Sequence, residues 1–97
     1  MTPGINAVKK CKVPHTIHEY SHDESSGSYG LEAAVKMDVA EERVFKTLVV
    51  ALDNGKLVVG VIPVSSMLSM KLIAKAAGAK KATMANKSDV ERSTGYV

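Results

Sequence analysis

Several things are scarce or missing in this chain, and each absence excludes something. It holds one cysteine in 97 residues, so no internal disulfide can form, which excludes a disulfide-stapled secreted scaffold and fits a reducing cytoplasm. No apolar run approaches the length of a membrane span, and the polar, lysine-containing start does not read as a signal peptide. No Gly-rich phosphate loop and no serine in a nucleophile-elbow pattern is present. His15, His18 and His22 come without the cysteines or carboxylates that would complete a tetrahedral metal site. Internal repeats, low-complexity tracts and interdomain linkers are also missing.

What remains is an ordinary globular composition, 45% hydrophobic and 24% charged, with a net charge of +3. That predicts one small domain over residues 1–97, with a mild basic bias that permits contact with nucleic acid. The charge is uneven. From residue 71 onward Lys71, Lys75, Lys80, Lys81, Lys87 and Arg92 oppose only Asp89 and Glu91. Residues 31–55 lean acidic, with Glu32, Asp38, Glu41, Glu42 and Asp53 against Lys36, Arg43 and Lys46. The basic third is the side expected to meet a phosphate backbone, although a solvated helix face has the same composition.

The centre of the chain is residues 43–63, two β-branched and aliphatic runs flanking Asn54-Gly55. This pair is the strongest local signal for a type I′ hairpin with a two-residue loop. That loop would set Asp53 opposite Lys56, Leu52 opposite Leu57 and Lys46 opposite Pro63. Alternation then places Val44, Lys46, Leu48, Val50 and Leu52 on one face, joined by Leu57, Val59, Val61 and Pro63. Lys46 is the one cation in an otherwise apolar row. An ammonium there must reach a rim or find an anionic partner, so it is expected to point into a pocket at the open end of the hairpin. Gly60, placed opposite Val49 and away from Lys46, is expected to let a helix approach the sheet.

Around this hairpin, Thr2-Pro3 opens a short helix that ends before Pro14, with Cys11 on its apolar side as a small buried filler. Residues 15–20 alternate weakly and are read as a strand. The polar segment 21–30 is the one long loop, and long loops are usually functional or mobile; Tyr29 within it reads as part of a lid. A helix follows over Leu31, Ala34 and Val35, then a helical turn at residues 40–43. Ser69 caps a helix that Gly78 closes, residues 81–84 form a short strand, and Ser88-Asp89-Val90-Glu91 has capping-box spacing for a last helix. His22 beside Asp23 has the makings of a general-base pair, and a solvated polar loop explains the two residues as well.

Five blocks then match in order: Met1-Thr2-Pro3, residues 17–23 (Ile-His-Glu-Tyr-Ser-His-Asp), residues 44–50 (Val-Phe-Lys-Thr-Leu-Val-Val), residues 74–81 (Ala-Lys-Ala-Ala-Gly-Ala-Lys-Lys) and residues 92–97 (Arg-Ser-Thr-Gly-Tyr-Val). Together they resemble the YbaK-type Cys-tRNA(Pro) deacylases, free-standing relatives of the editing domain inserted in bacterial prolyl-tRNA synthetases. The resemblance runs through all 97 residues. Family members continue into a Gly-Gly-x-Ser-Pro loop and further strands that have no counterpart here. The chain is therefore expected to form the N-terminal majority of the family fold, with a sheet edge left uncovered that a second copy could pair with.

The resemblance implies a mixed α/β (α+β) fold, a barrel-like sheet with flanking helices that holds the aminoacyl end of a mischarged tRNA. It implies that Lys46 contacts the aminoacyl ester, that Tyr20 and Tyr29 line the pocket, and that Thr47 lies beside the lysine. It implies no cofactor and no metal, because cysteine-specific members release a thiolactone by attack of the substrate's own thiol. The implied activity is trans-editing deacylation, most of all of cysteine on tRNA(Pro), in the cytoplasm, with prolyl-tRNA synthetase as a partner. Lys71, Lys75, Lys80, Lys81 and Lys87 would seat the acceptor stem. A non-catalytic RNA- or nucleotide-binding module of the same fold is the alternative.

Overall fold

The computed structural model describes residues 2–21, 23 and 28–96. The chain divides into two compact units, one of residues 1–18 with 85–97 and one of Glu19–Met84.

The larger unit is α+β. It contains helix α1 (Tyr29–Lys36), a 3-10 turn at Glu41–Arg43, strands β1 (Phe45–Leu52) and β2 (Leu57–Pro63), helix α2 (Met70–Ala76) and the short strand β3 (Ala82–Met84). The sheet is antiparallel with order β2-β1-β3. It is an open three-stranded sheet and not the barrel-like one expected. Both helices have serine caps, Ser28 accepting from Leu31 N–H and Ser69 from Leu72 N–H, which satisfies donors a first helical turn leaves free. Both also end in the same way. Gly78 N–H donates to Lys75 O and Ala79 N–H to Ala74 O; Asp38 N–H donates to Val35 O and Val39 N–H to Ala34 O. This paired pattern needs a left-handed residue, supplied by Gly78 (φ 74°) and Asp38 (φ 54°).

The hairpin register is one residue off the expected one, and the turn explains it. Leu52 N–H donates to Lys56 O and Gly55 N–H to Leu52 O, so the loop is Asp53-Asn54-Gly55. Gly55 alone in this turn has positive φ, at 86°. This is a type I turn followed by a left-handed glycine, the usual three-residue solution, whereas a type I′ turn would need both Asn54 and Gly55 left-handed. Leu48 therefore pairs with Gly60 and Lys46 with Ile62. A slip of one residue exchanges the faces of every side chain on β2. The row of Lys46, Leu48, Val50 and Leu52 is joined by Val58, Gly60, Ile62 and Val64, not by Leu57, Val59, Val61 and Pro63.

That row faces the core. Val50 is fully buried, and Leu52, Val64 and helical Ala33, Ala34 and Ala74 are also buried. Gly60 lies on this same face, contrary to expectation, but its role holds: a Cβ there would sit 3.0 Å from Ile73 of α2 and 3.1 Å from Leu68. The opposite face, with Phe45, Val59 and Val61 each more than half exposed, is apolar and open.

The smaller unit has helices α3 (Pro3–Cys11) and α4 (Lys87–Thr94). Thr2 caps α3 as expected, accepting from Ile5 N–H, and Lys12 ends it in the left-handed conformation. Asn86 caps α4, accepting from Asp89 N–H at 2.8 Å, two residues before the Ser88 expected from the capping-box spacing. Tyr96 Oη accepts from Gly4 N–H at 2.9 Å, which ties the two ends of this unit together. Cys11 is exposed and α3 buries none of its residues, so the buried-filler reading is overturned. Residues 15–20 form no strand. Their alternation is weak, and with no ladder partner an extended segment stays irregular.

Candidate functional site

Lys46 sits at the end of the hairpin away from the turn, on the core-facing row. Its stem is half-buried, and its ammonium donates to Val64 O across a long 3.5 Å. This is the behaviour expected of a lysine on an apolar row, with the methylenes covering hydrocarbon and the head carried to a polar rim. The rim here is a backbone carbonyl at the end of β2. Val64 is held in turn by its own N–H, which donates to Val44 O at 2.8 Å.

The first turn of α1 meets the same residue. A Cβ on Gly30 would lie 2.8 Å from Val64 Cβ and closer still to its Cγ1. Gly30 thus brings Tyr29, the preceding residue of α1, to the end of the sheet where Lys46 emerges. Tyr20 joins this group by donating its hydroxyl to Tyr29 O at 3.5 Å. Lys46, Tyr29 and Tyr20 are therefore linked through Val64 and Gly30, within one compact unit. Tyr20 is half-buried, while Tyr29 is 69% exposed and presents its ring outward. Thr47 is not brought to this group. It pairs with Val61 on the open face, since neighbours along a strand point opposite ways.

A second set of contacts fastens the loop start to α1. Glu32 is buried and accepts from Asp23 N–H at 2.8 Å. Lys36 pairs with Glu32 at 3.4 Å, donates to Ser21 O, and lies 5.9 Å from the centre of the Tyr20 ring. A buried carboxylate needs such partners, because desolvation without them is costly. In the sequence Glu32 and Lys36 stand one helical turn apart, the spacing of an ordinary surface pair. The carboxylate's reach back to Asp23 has no signature in spacing. His22 lies outside the described residues, so its pairing with Asp23 has no structural counterpart to report.

Lys71, Lys75, Lys80 and Lys81 are all exposed on the larger unit, along α2 and the segment leading into β3. Lys87 belongs to the smaller unit, on α4, where it pairs with Glu91 at 3.9 Å. The smaller unit also has an open concavity of about 390 Å³, lined in part by His15, His18 and Tyr96. His15 Nδ1 lies 2.8 Å from Val13 O, a contact in which the ring nitrogen is the donor. No helix among the described residues is long and apolar enough to cross a membrane.

An open antiparallel sheet with serine-capped helices, and a lysine carried through an apolar row to the sheet's end, make the larger unit an α+β domain. The family described as "Aminoacyl-tRNA editing domain" matches residues 27–97, and the chain belongs to that family. Its relatives include a protein of Enterococcus faecalis named "Putative Cys-tRNA(Pro)/Cys-tRNA(Cys) deacylase EbsC", which is 35% identical over 96 residues. That alignment takes in 99% of this chain and 58% of the relative, so the chain spans little more than half of that protein's length. The family match includes Lys46, Tyr29, Gly30 and Val64; Tyr20 falls before it, within the alignment to the E. faecalis protein.

Proposed function

We propose that this protein is a trans-editing aminoacyl-tRNA deacylase, which clears a mischarged small amino acid, cysteine first, from tRNA(Pro) or a related tRNA. The observation that carries this reading is Lys46, the one cation in the apolar core-facing row of an editing-domain sheet, with its ammonium delivered to the sheet's end. An ester about to be broken develops negative charge on its carbonyl oxygen. A fixed ammonium beside that oxygen stabilises the charge as it forms, in a site whose surroundings are largely apolar.

The chemistry asks little else of the protein. The cysteinyl thiol loses its proton and its sulfur attacks the ester carbonyl. The bond to the ribose oxygen breaks, that oxygen takes up a proton, and a cysteine thiolactone leaves. Lys46 stabilises the oxyanion in this step. Tyr20 and Tyr29 wall the amino-acid pocket or stack on the terminal adenine. Lys71, Lys75, Lys80 and Lys81 attract the acceptor stem. Prolyl-tRNA synthetase would supply the tRNA selectivity that so small a domain lacks, and a second copy would pair with the uncovered sheet edge. The similarity to the E. faecalis protein, whose name specifies cysteinyl-tRNAs, supports cysteine as the first amino acid to test.

The test incubates Cys-tRNA(Pro) with the protein and with Lys46→Ala. Release by the wild type, falling on the order of a hundredfold in the variant, is the expected result. Equal background release from both removes the enzymatic reading. Binding of the charged tRNA without release would make the chain an RNA-binding module of the same fold.

A further inference from the structure

Gly30 stands where a glycine is a poor choice. It is the second residue of α1, an ordinary helical position at which alanine would be preferred. A departure from local preference inside a regular element asks for a tertiary reason, and the reason is Val64. That side chain is buried, and a methyl group at position 30 would come within 2.8 Å of its Cβ. Val64 cannot simply turn aside. It is β-branched and stiff about χ1, and its backbone is tied by the N–H donated to Val44 O. Any side chain at residue 30 would therefore move either the first turn of α1 or the end of β2. The first carries Tyr29, whose carbonyl receives the Tyr20 hydroxyl; the second carries the carbonyl that receives Lys46.

We propose that Gly30 is a positioning residue for Lys46, setting the depth at which α1 docks on Val64 and so the place of the carbonyl that holds the ammonium. This deepens the editing reading and rests on it for its functional consequence, but its structural content can be tested without turnover. Displacements of about an ångström at a reacting group can cost up to a hundredfold in rate.

The experiment compares wild type, Gly30→Ala, the double variant Gly30→Ala/Val64→Ala, and Ala33→Gly, which weakens the same helix without adding an atom against Val64. Two readouts are taken. One is the NMR signal of the Lys46 side-chain Cε and Nζ in lysine-labelled protein, assigned with Lys46→Arg. The other is kcat and KM for release from Cys-tRNA(Pro). Gly30→Ala is expected to shift the Lys46 signal and lower kcat about tenfold or more, with KM changed far less. The double variant should recover part of both, because losing the Val64 methyls relieves the tightest contact, at Cγ1, and leaves the 2.8 Å approach to Cβ. Ala33→Gly should lower the melting temperature and leave the Lys46 signal in place. An unmoved Lys46 signal in Gly30→Ala overturns the proposal, as does an equal shift in Ala33→Gly. Should Gly30→Ala fail to fold, Val64→Ile crowds the same contact by one methylene and is judged by the same signal. Wild type without release would end the editing reading while the Lys46 signal still decides the role of Gly30.

Discussion

Asp38 takes φ 54° just past the end of α1, with its N–H on Val35 O and the next N–H on Ala34 O. Aspartate tolerates this conformation, but glycine adopts it without a Cβ penalty. Asp38→Gly is expected to stabilise the fold by about 0.5–1 kcal/mol, an upward shift of a few degrees in Tm for a chain of this size. Thermal unfolding checks this, and a lower Tm would show that the Asp38 side chain contributes more than its backbone costs. Lys46 is the residue on which the proposed function turns. Lys46→Arg keeps the charge but replaces a compact ammonium with a planar fork. It is expected to retain tRNA binding and lose most release, measured as kcat against KM on Cys-tRNA(Pro). Unimpaired release would show that any cation at this place suffices. The alternation that put Lys46 on an apolar row was legible from residues 44–52 alone. That its ammonium ends on Val64 O was not, because the partner strand's register decided it.

Some elements are settled by neighbours along the chain and others by contacts made only on folding. The caps at Thr2 and Ser69, and the left-handed end at Gly78, follow local rules that act within a few residues, whereas Ser28 caps a helix that starts inside the segment read as loop. Ser21 and Asp23, by contrast, are held to α1 by Lys36 and Glu32, through contacts the chain makes only once folded. Glu32→Ala removes the acceptor for Asp23 N–H and the partner of Lys36 together. A loss of about 1–3 kcal/mol in urea unfolding is expected, with faster hydrogen exchange at the Asp23 amide. A stability change below about 0.5 kcal/mol would reduce the pair to surface decoration. The Asn54-Gly55 turn shows the limit of a motif. The same two residues serve a two- or a three-residue loop, and which is adopted depends on how the two strands pack as a whole.

On the scale of the whole molecule, two surfaces stand out, one basic and one apolar. Lys71, Lys75, Lys80 and Lys81 are all exposed. If they seat an acceptor stem, tRNA affinity should fall steeply with salt, and Lys71→Ala/Lys75→Ala should flatten a plot of log K against log salt by about one to two in slope. An unchanged slope would place the RNA elsewhere. The apolar surface is the open sheet face of Phe45, Val59 and Val61. It adjoins an open ladder. Asp53 N–H donates to Lys81 O, so the odd residues of β1 turn toward β3, but β3 pairs only with Val50–Leu52. Among the described residues, no strand continues this ladder beside Phe45–Val49. Exposed edges of this kind invite pairing with another chain. Light scattering is expected to give a mass that rises with concentration, and Val61→Lys to suppress the rise; one monomer mass at all concentrations would dispose of pairing.

The amino-acid sequence by itself determined the helices, the caps at Thr2 and Ser69, the central hairpin and the isolation of one lysine in an apolar row, because propensity, capping and alternation are settled by neighbours along the chain. Only the tertiary structure decided which face of β2 joins that lysine, why residue 30 must be glycine, and that Val59 and Val61 look outward. Those outcomes depend on register and close packing between segments far apart in sequence, where one residue of slip, or one methyl group, changes which atoms can meet.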